Sequence, residues 1–166
     1  MPRLRAYDRT SAVEYAHRWA YFRNPDYYDF QNIGGDCTNF ASQCIYAGSG
    51  VMNYTPIYGW YYRTANDRSA SWTGVQYLYN FLMTNRGPGP FGEETDINAM
   101  EEGDIVQIAT LRDQFHHTPV IVRIDGRPTL DTIYVAAHTG NVDCRPLSSY
   151  PLRMVRFIHI ESVRLE

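Results

Sequence analysis

The hydrophobic period of this 166-residue chain changes near Gly103, and that change constrains the fold more than any single motif. Before it, apolar residues recur at helical spacing. Ser11-Ala12-Val13-Glu14 reads as a capping box, followed by Val13, Ala16, His17 and Ala20 on one face. That helix is expected to stop near Asn24-Pro25, because the residue before proline avoids the helical region. A turn-rich stretch, residues 32–36, leads into a second helix from about Cys37, striped by Phe40, Ala41, Cys44 and Ile45 and ended by Gly48. A third helix, capped by Ser71 or Thr73, carries Val75, Leu78, Tyr79 and Leu82 to a stop at Gly87-Pro88. After Gly103, residues 104–109, 119–124, 132–137 and 153–160 read as strands rich in Ile and Val, two of them joined by the turn Asp125-Gly126-Arg127-Pro128. Helices first and an antiparallel sheet second predict an α+β fold in which the second helix packs on the sheet.

No repeat, low-complexity tract or linker divides the sequence, so residues 1–166 are read as one domain. All 15 basic residues are arginine. The absence of lysine excludes a P-loop phosphate cradle, a pyridoxal Schiff base and a Ser–Lys dyad within this chain. A net charge of −3 offers no basic footprint for nucleic acid. There is no run of roughly 18 apolar residues to enter a membrane. The start, MPRLRAYDRT, lacks the apolar core of a leader peptide, which makes a cytoplasmic location the default expectation. Three cysteines cannot all pair, and no CxxC zinc pattern is present.

Cys37 stands where Gly-Gly-Asp turns into a helix, facing the unpaired N–H groups and positive dipole end of the first turn. That placement favours thiolate and predicts a lowered pKa. The same position also suits a small buried residue with no chemistry. Cys44 reads as core and Cys144 as a surface thiol. A cysteine nucleophile needs a base from elsewhere in the fold. His116 and His117 precede the run Thr118-Pro119-Val120-Ile121-Val122, and His138 ends the run Ile133-Tyr134-Val135-Ala136-Ala137. Two antiparallel neighbours would bring His117 and His138 together at one end of the sheet, as base and orienting partner. Strand alternation is expected to turn His116 away. A metal site made from His116, His117, His138 and a cysteine is the rival use of these residues. No metal or cofactor is expected on the hydrolytic reading.

The block Gly35-Asp36-Cys37-Thr38-Asn39-Phe40-Ala41-Ser42-Gln43 closely resembles the DCTNF-x-SQ signature of the bacterial Putative amidase domain family, in the papain-like and NlpC/P60-related group. Support comes from Trp19-Ala20, Arg23-Asn24-Pro25, Tyr28 and Trp72, then from Gly103-Asp104-Ile105-Val106-Gln107, His117-Thr118-Pro119 and His138-Thr139 in the same order. The resemblance implies a papain-like fold with Cys37, His117 and His138 as a catalytic triad. In this reading Cys37 cleaves an amide bond through a thioester, and peptides of the peptidoglycan type are a candidate substrate. A peptide- or glycan-binding domain without turnover is the alternative. The Cys37 backbone N–H would hold the oxyanion, with Gln31 as candidate second donor. Asp36 is expected to cap the helix. The aromatic loop, with Trp60, Tyr61 and Tyr62, would wall the cleft and bind substrate.

Overall fold

Helices precede strands in the computed structural model, which describes residues 3–166; Met1 and Pro2, the first residues of the stretch without a leader core, lie outside the described residues. A short strand β1 (Leu4–Arg5) leads into α1 (Arg9–Trp19). The cap of α1 is Asp8, whose carboxylate accepts from the Ser11 N–H at 3.0 Å and the Ser11 hydroxyl at 2.6 Å. Ser11, expected to be the cap, is thus the partner of a stronger acceptor three residues upstream.

Helix α2 (Cys37–Ser49) is enclosed, with eleven of its thirteen residues buried, so even its polar side chains must find partners inside. They do. The Asn39 amide donates to the Tyr28 carbonyl and to Asp36, while its oxygen accepts from the Trp72 indole at 3.0 Å. The Ser42 hydroxyl accepts from the Trp60 indole and donates to the Trp72 carbonyl. Gln43 accepts from the Tyr15 hydroxyl at 2.5 Å, and the Thr38 and Thr118 hydroxyls lie 3.1 Å apart. Gly50, left-handed at φ 67°, ends the helix by donating to the Tyr46 carbonyl. Gly48, expected to end the helix, lies within α2, packed so closely on Tyr7 that a Cβ there would stand 2.5 Å from its ring.

The aromatic stretch expected to be a loop contains a small hairpin, β2 (Tyr62–Thr64) with β3 (Asp67–Arg68). The expected third helix is two pieces, α3 (Ala70–Thr73) and α4 (Val75–Thr84), separated by the extended backbone of Gly74. Helix α4 stops at Asn85, before Gly87-Pro88.

The remaining strands are β4 (Gly89–Thr95), β5 (Ile105–Ala109), β6 (Val120–Ile124), β7 (Ile133–Ala137), β8 (Val142–Pro146) and β9 (Met154–Arg164). All pair antiparallel in one sheet of seven strands, β1 included. Strand β9 is its spine: Arg164 pairs with both Leu4 and Gly89, while Ile158 pairs with Ile105 on β5. From β5 the sheet continues through β6 and β7 to β8. All five residues of β5 are buried. One of its faces packs with the helices around Phe40, Ile45 and Leu78. The other covers a smaller cluster around Ile108, Ile121 and Leu147. The helices therefore bring Cys37 against one end of the sheet, where the segment entering β6 carries the paired histidines. No helix among the described residues is long and apolar enough to cross a membrane.

Candidate active site

Gly34 and Gly35, at φ 83° and 98°, take the chain through left-handed backbone that other residues adopt at a cost, and so deliver Cys37 to the first position of α2. Asp36 is the capping residue by position but makes no side-chain cap bond. Its carboxylate points the other way. One oxygen accepts from the Phe30 N–H at 2.8 Å and the Asn39 amide at 2.9 Å, and the other lies 2.5 Å from His138 Nδ1. The first N–H groups of α2 are left without a side-chain acceptor, as an oxyanion site requires.

His138 does not meet His117. Its Nε2 lies 2.7 Å from the Trp19 carbonyl, which can only accept, so Nε2 carries a proton and donates it. With Nδ1 on Asp36, both ring nitrogens are committed, and the ring stacks on Phe40 with centroids 4.0 Å apart. The expected role of orienting His117 is therefore corrected: His138 braces the turn that holds the thiol. A metal ligand set that includes His138 fails on the same ground. Among the described residues, the cluster with metal-ligand spacing is His17, Asp143 and Cys144, where the His17 ring lies 2.8 Å from the Asp143 carboxylate.

Cys37 is 7% exposed, and its sulfur donates weakly to the His116 carbonyl at 3.6 Å, with the Thr38 hydroxyl 3.8 Å away. Burial raises its pKa above that of a free thiol, outweighing the bonds to Thr38 that lower it. The lowered pKa expected from the helix start is overturned, since desolvation of the anion is the larger effect.

His117 lies across the same cavity, beside β5 through a bridge to Ile108. It is 6% exposed, and its pKa is pushed down to about 4 by burial first, then by His116 and Arg145. Its ring nitrogens make no hydrogen bond among the described residues, and Tyr150 packs against it with ring centroids 5.7 Å apart. His116 also lines the cavity, contrary to the expected alternation, because the pair precedes the regular pleat of β6. Its Nε2 accepts from the Thr110 N–H at 3.2 Å and lies 2.9 Å from the Thr110 hydroxyl. Of the two, His117 has the free imidazole.

Four other expected residues lie elsewhere. Gln31 does not line the cavity, and its side-chain oxygen accepts from Arg23. Trp60 and Tyr62 are buried, with Trp60 packed on Trp72 at 4.7 Å and on Phe81 at 5.8 Å. They are core, because Ser42 and Trp72 draw them onto α2. Tyr61 lines a separate hollow with Tyr58 and Tyr77. In their place the cavity is walled by Thr139, Arg145 and Tyr150. Thr139 directly follows His138, but Arg145 and Tyr150 carried no motif that would have drawn attention to them.

Fold and site together define a mixed helical and antiparallel-sheet protein with a buried thiol and, among the described residues, an unpartnered imidazole in one cavity. The chain belongs to the Putative amidase domain family, whose model matches residues 6–160, and this membership points to a hydrolase. It is 31% identical over 122 residues to the uncharacterized protein YhbB of Bacillus subtilis (strain 168), an alignment covering 72% of this chain. The match spans 38% of that relative's length. No solved structure matches the chain significantly.

Proposed function

We propose that this chain is a cysteine amidase of the papain-like, NlpC/P60-related kind, with Cys37 as nucleophile and His117 as proton carrier. The observation that carries the reading is the cavity shared by a thiol at a helix start and an imidazole with no other partner. Burial favours the neutral form of each, so the resting pair is thiol and imidazole rather than a preformed ion pair. Substrate binding completes the base reaction. His117 takes the thiol proton as sulfur bonds to the amide carbonyl carbon, and the carbonyl electron pair moves to oxygen. The Cys37 N–H donates to that oxyanion. The Thr139 hydroxyl accepts from the Asp36 N–H at 3.3 Å, which leaves its own proton to donate, and it replaces Gln31 as second donor. Collapse breaks the carbon–nitrogen bond and His117 protonates the leaving amine. Water, deprotonated by His117, then releases the acyl group as a carboxylic acid and restores the thiol.

His138 acts in this scheme only through Asp36, as a positioning residue for the turn at Cys37. Peptides, including cell-wall stem peptides, are the substrate class that suits an open cavity beside a thiol. Turnover of a stem-peptide panel tests the roles. Cys37→Ala should abolish it, and His117→Ala should lower kcat by about 10²–10⁴-fold. His116→Ala should have a mild effect. Full activity in folded His117→Ala would remove the assigned base.

A further inference from the structure

Among the described residues, Arg145 is the only Arg, Asp or Glu side chain lining the thiol cavity. It is also held in place. Nε donates to the Ser149 hydroxyl at 2.8 Å and Nη2 to the Ser149 carbonyl at 3.2 Å. The guanidinium lies 3.6 Å over the Tyr150 ring. Among the described residues it makes no ion pair, whereas Arg9, also partly buried, pairs with the Asp104 carboxylate at 2.8 Å.

Beside it, the Tyr150 hydroxyl is buried and has no hydrogen-bond partner; Arg145 comes near without bond geometry. A buried hydroxyl without a partner is uncommon in a folded chain and asks for an explanation. A fixed guanidinium has a fork of donors that matches a carboxylate. Two incompletely used groups, one cationic and one a phenol, thus meet in the cavity that holds Cys37 and His117.

We propose that Arg145 and Tyr150 form a carboxylate subsite next to the thiol, so that the amide cut here carries a free carboxylate close to the scissile bond. The substrate class is a peptide or acylated amino acid with an unblocked carboxyl group near the cleavage point, as opposed to an internal bond of a long neutral chain. This rests on Cys37 being the reacting thiol, and it adds the charge that the substrate must bear.

Alkylation rates test it without requiring turnover. Iodoacetate and iodoacetamide react with a thiol in the same way, sulfur bonding to the methylene carbon as iodide leaves, and differ in one negative charge. Their second-order rate constants at Cys37 are read by peptide mass spectrometry, with free glutathione as the reference thiol, because Cys144 adjoins Arg145. The iodoacetate-to-iodoacetamide ratio at Cys37 should be about tenfold higher in the native protein than in Arg145→Gln. It should be largely kept in Arg145→Lys, and Tyr150→Phe should lower it less. Added salt should slow iodoacetate at Cys37 and leave iodoacetamide unaffected. An equal ratio in native protein and folded Arg145→Gln overturns the subsite. If Arg145→Gln does not fold, a salt-independent ratio in the native protein overturns it. Preference for iodoacetate through Arg145 with no amide hydrolysed would keep the subsite and remove the amidase reading. Amide turnover with no charge preference would remove the subsite alone.

Discussion

The two walls of the thiol cavity differ in how completely their polar groups are partnered. On the α2 side, Asp36, Thr38, Asn39, Ser42 and Gln43 are all buried, and each is bonded to a neighbour. On the facing side, among the described residues, His117 has no bond to its ring, the Tyr150 hydroxyl has none, and Arg145, bonded to Ser149, has no counter-charge. Polar groups that are buried and satisfied fix a structure, whereas those left open keep capacity for a ligand. The difference assigns most of the polar residues in the DCTNF-x-SQ block to holding Cys37 still. On the function proposed above, the proton carrier and the recognising groups belong to the less completed wall.

Stability measurements can break that contrast. The largest effect should come from Asp36→Ala, which strands the buried His138 ring, the Phe30 N–H and the Asn39 amide together. Removing one partner of a buried pair costs about 3–5 kcal/mol, and denaturant unfolding should show a loss of that size. A loss below 1 kcal/mol would mean that this wall is not pinned as described.

His117 gives the next effect, and it depends on pH. Its folded pKa of about 4 lies below the ordinary 6.5, so between these values the unfolded chain binds the extra proton. Stability from this group should therefore be present above pH 6.5, fall as pH drops, and be about 3 kcal/mol lower below pH 4. His117→Gln should flatten that part of the pH–stability curve while leaving stability at pH 7 within about 1 kcal/mol. An unchanged slope would contradict a buried neutral imidazole. The smallest effect compares two hydroxyls. Tyr15→Phe removes one bonded to Gln43 and Asn24, and should cost about 1 kcal/mol. Tyr150→Phe removes one with no partner, and should cost nothing or stabilise slightly. Equal costs would erase the distinction between the walls.

The sequence showed the parts of this fold whose period is simple. Strands β5, β6, β7 and β9 carry continuous Ile and Val and were legible, as was the turn that puts Cys37 first in α2. Strand β4, Gly-Pro-Phe-Gly-Glu-Glu-Thr, was not. Two glycines and a proline read as a loop, and only pairing with β9 makes it a strand, with Gly92 so close that a Cβ would stand 2.2 Å from the His159 carbonyl. Strand β8, with Asp, Arg and Pro, was hidden for the same reason. At the site, Cys37 and His117 could be picked from their places at element ends. The partner of His138 could not, since it is set by where α1 stops and presents the Trp19 carbonyl. The aromatic stretch misled because a run without a period does not say which rings face inward. Trp60 and Tyr62 pack on Trp72, while Tyr58 stays exposed. Arg145 and Tyr150 were illegible because their meaning lies in what they lack.

The neutral resting thiol has a further consequence, for durability in oxidising surroundings. Peroxide attacks thiolate, and progress from sulfenic to sulfinic acid is governed by how much anion is exposed. Cys37 keeps its proton on the His116 carbonyl and is itself nearly covered, so little anion is offered to an oxidant. If Cys37 is the nucleophile proposed above, it is armed only when its substrate arrives and spends most of its life chemically quiet, whereas a standing ion pair would be open to damage throughout.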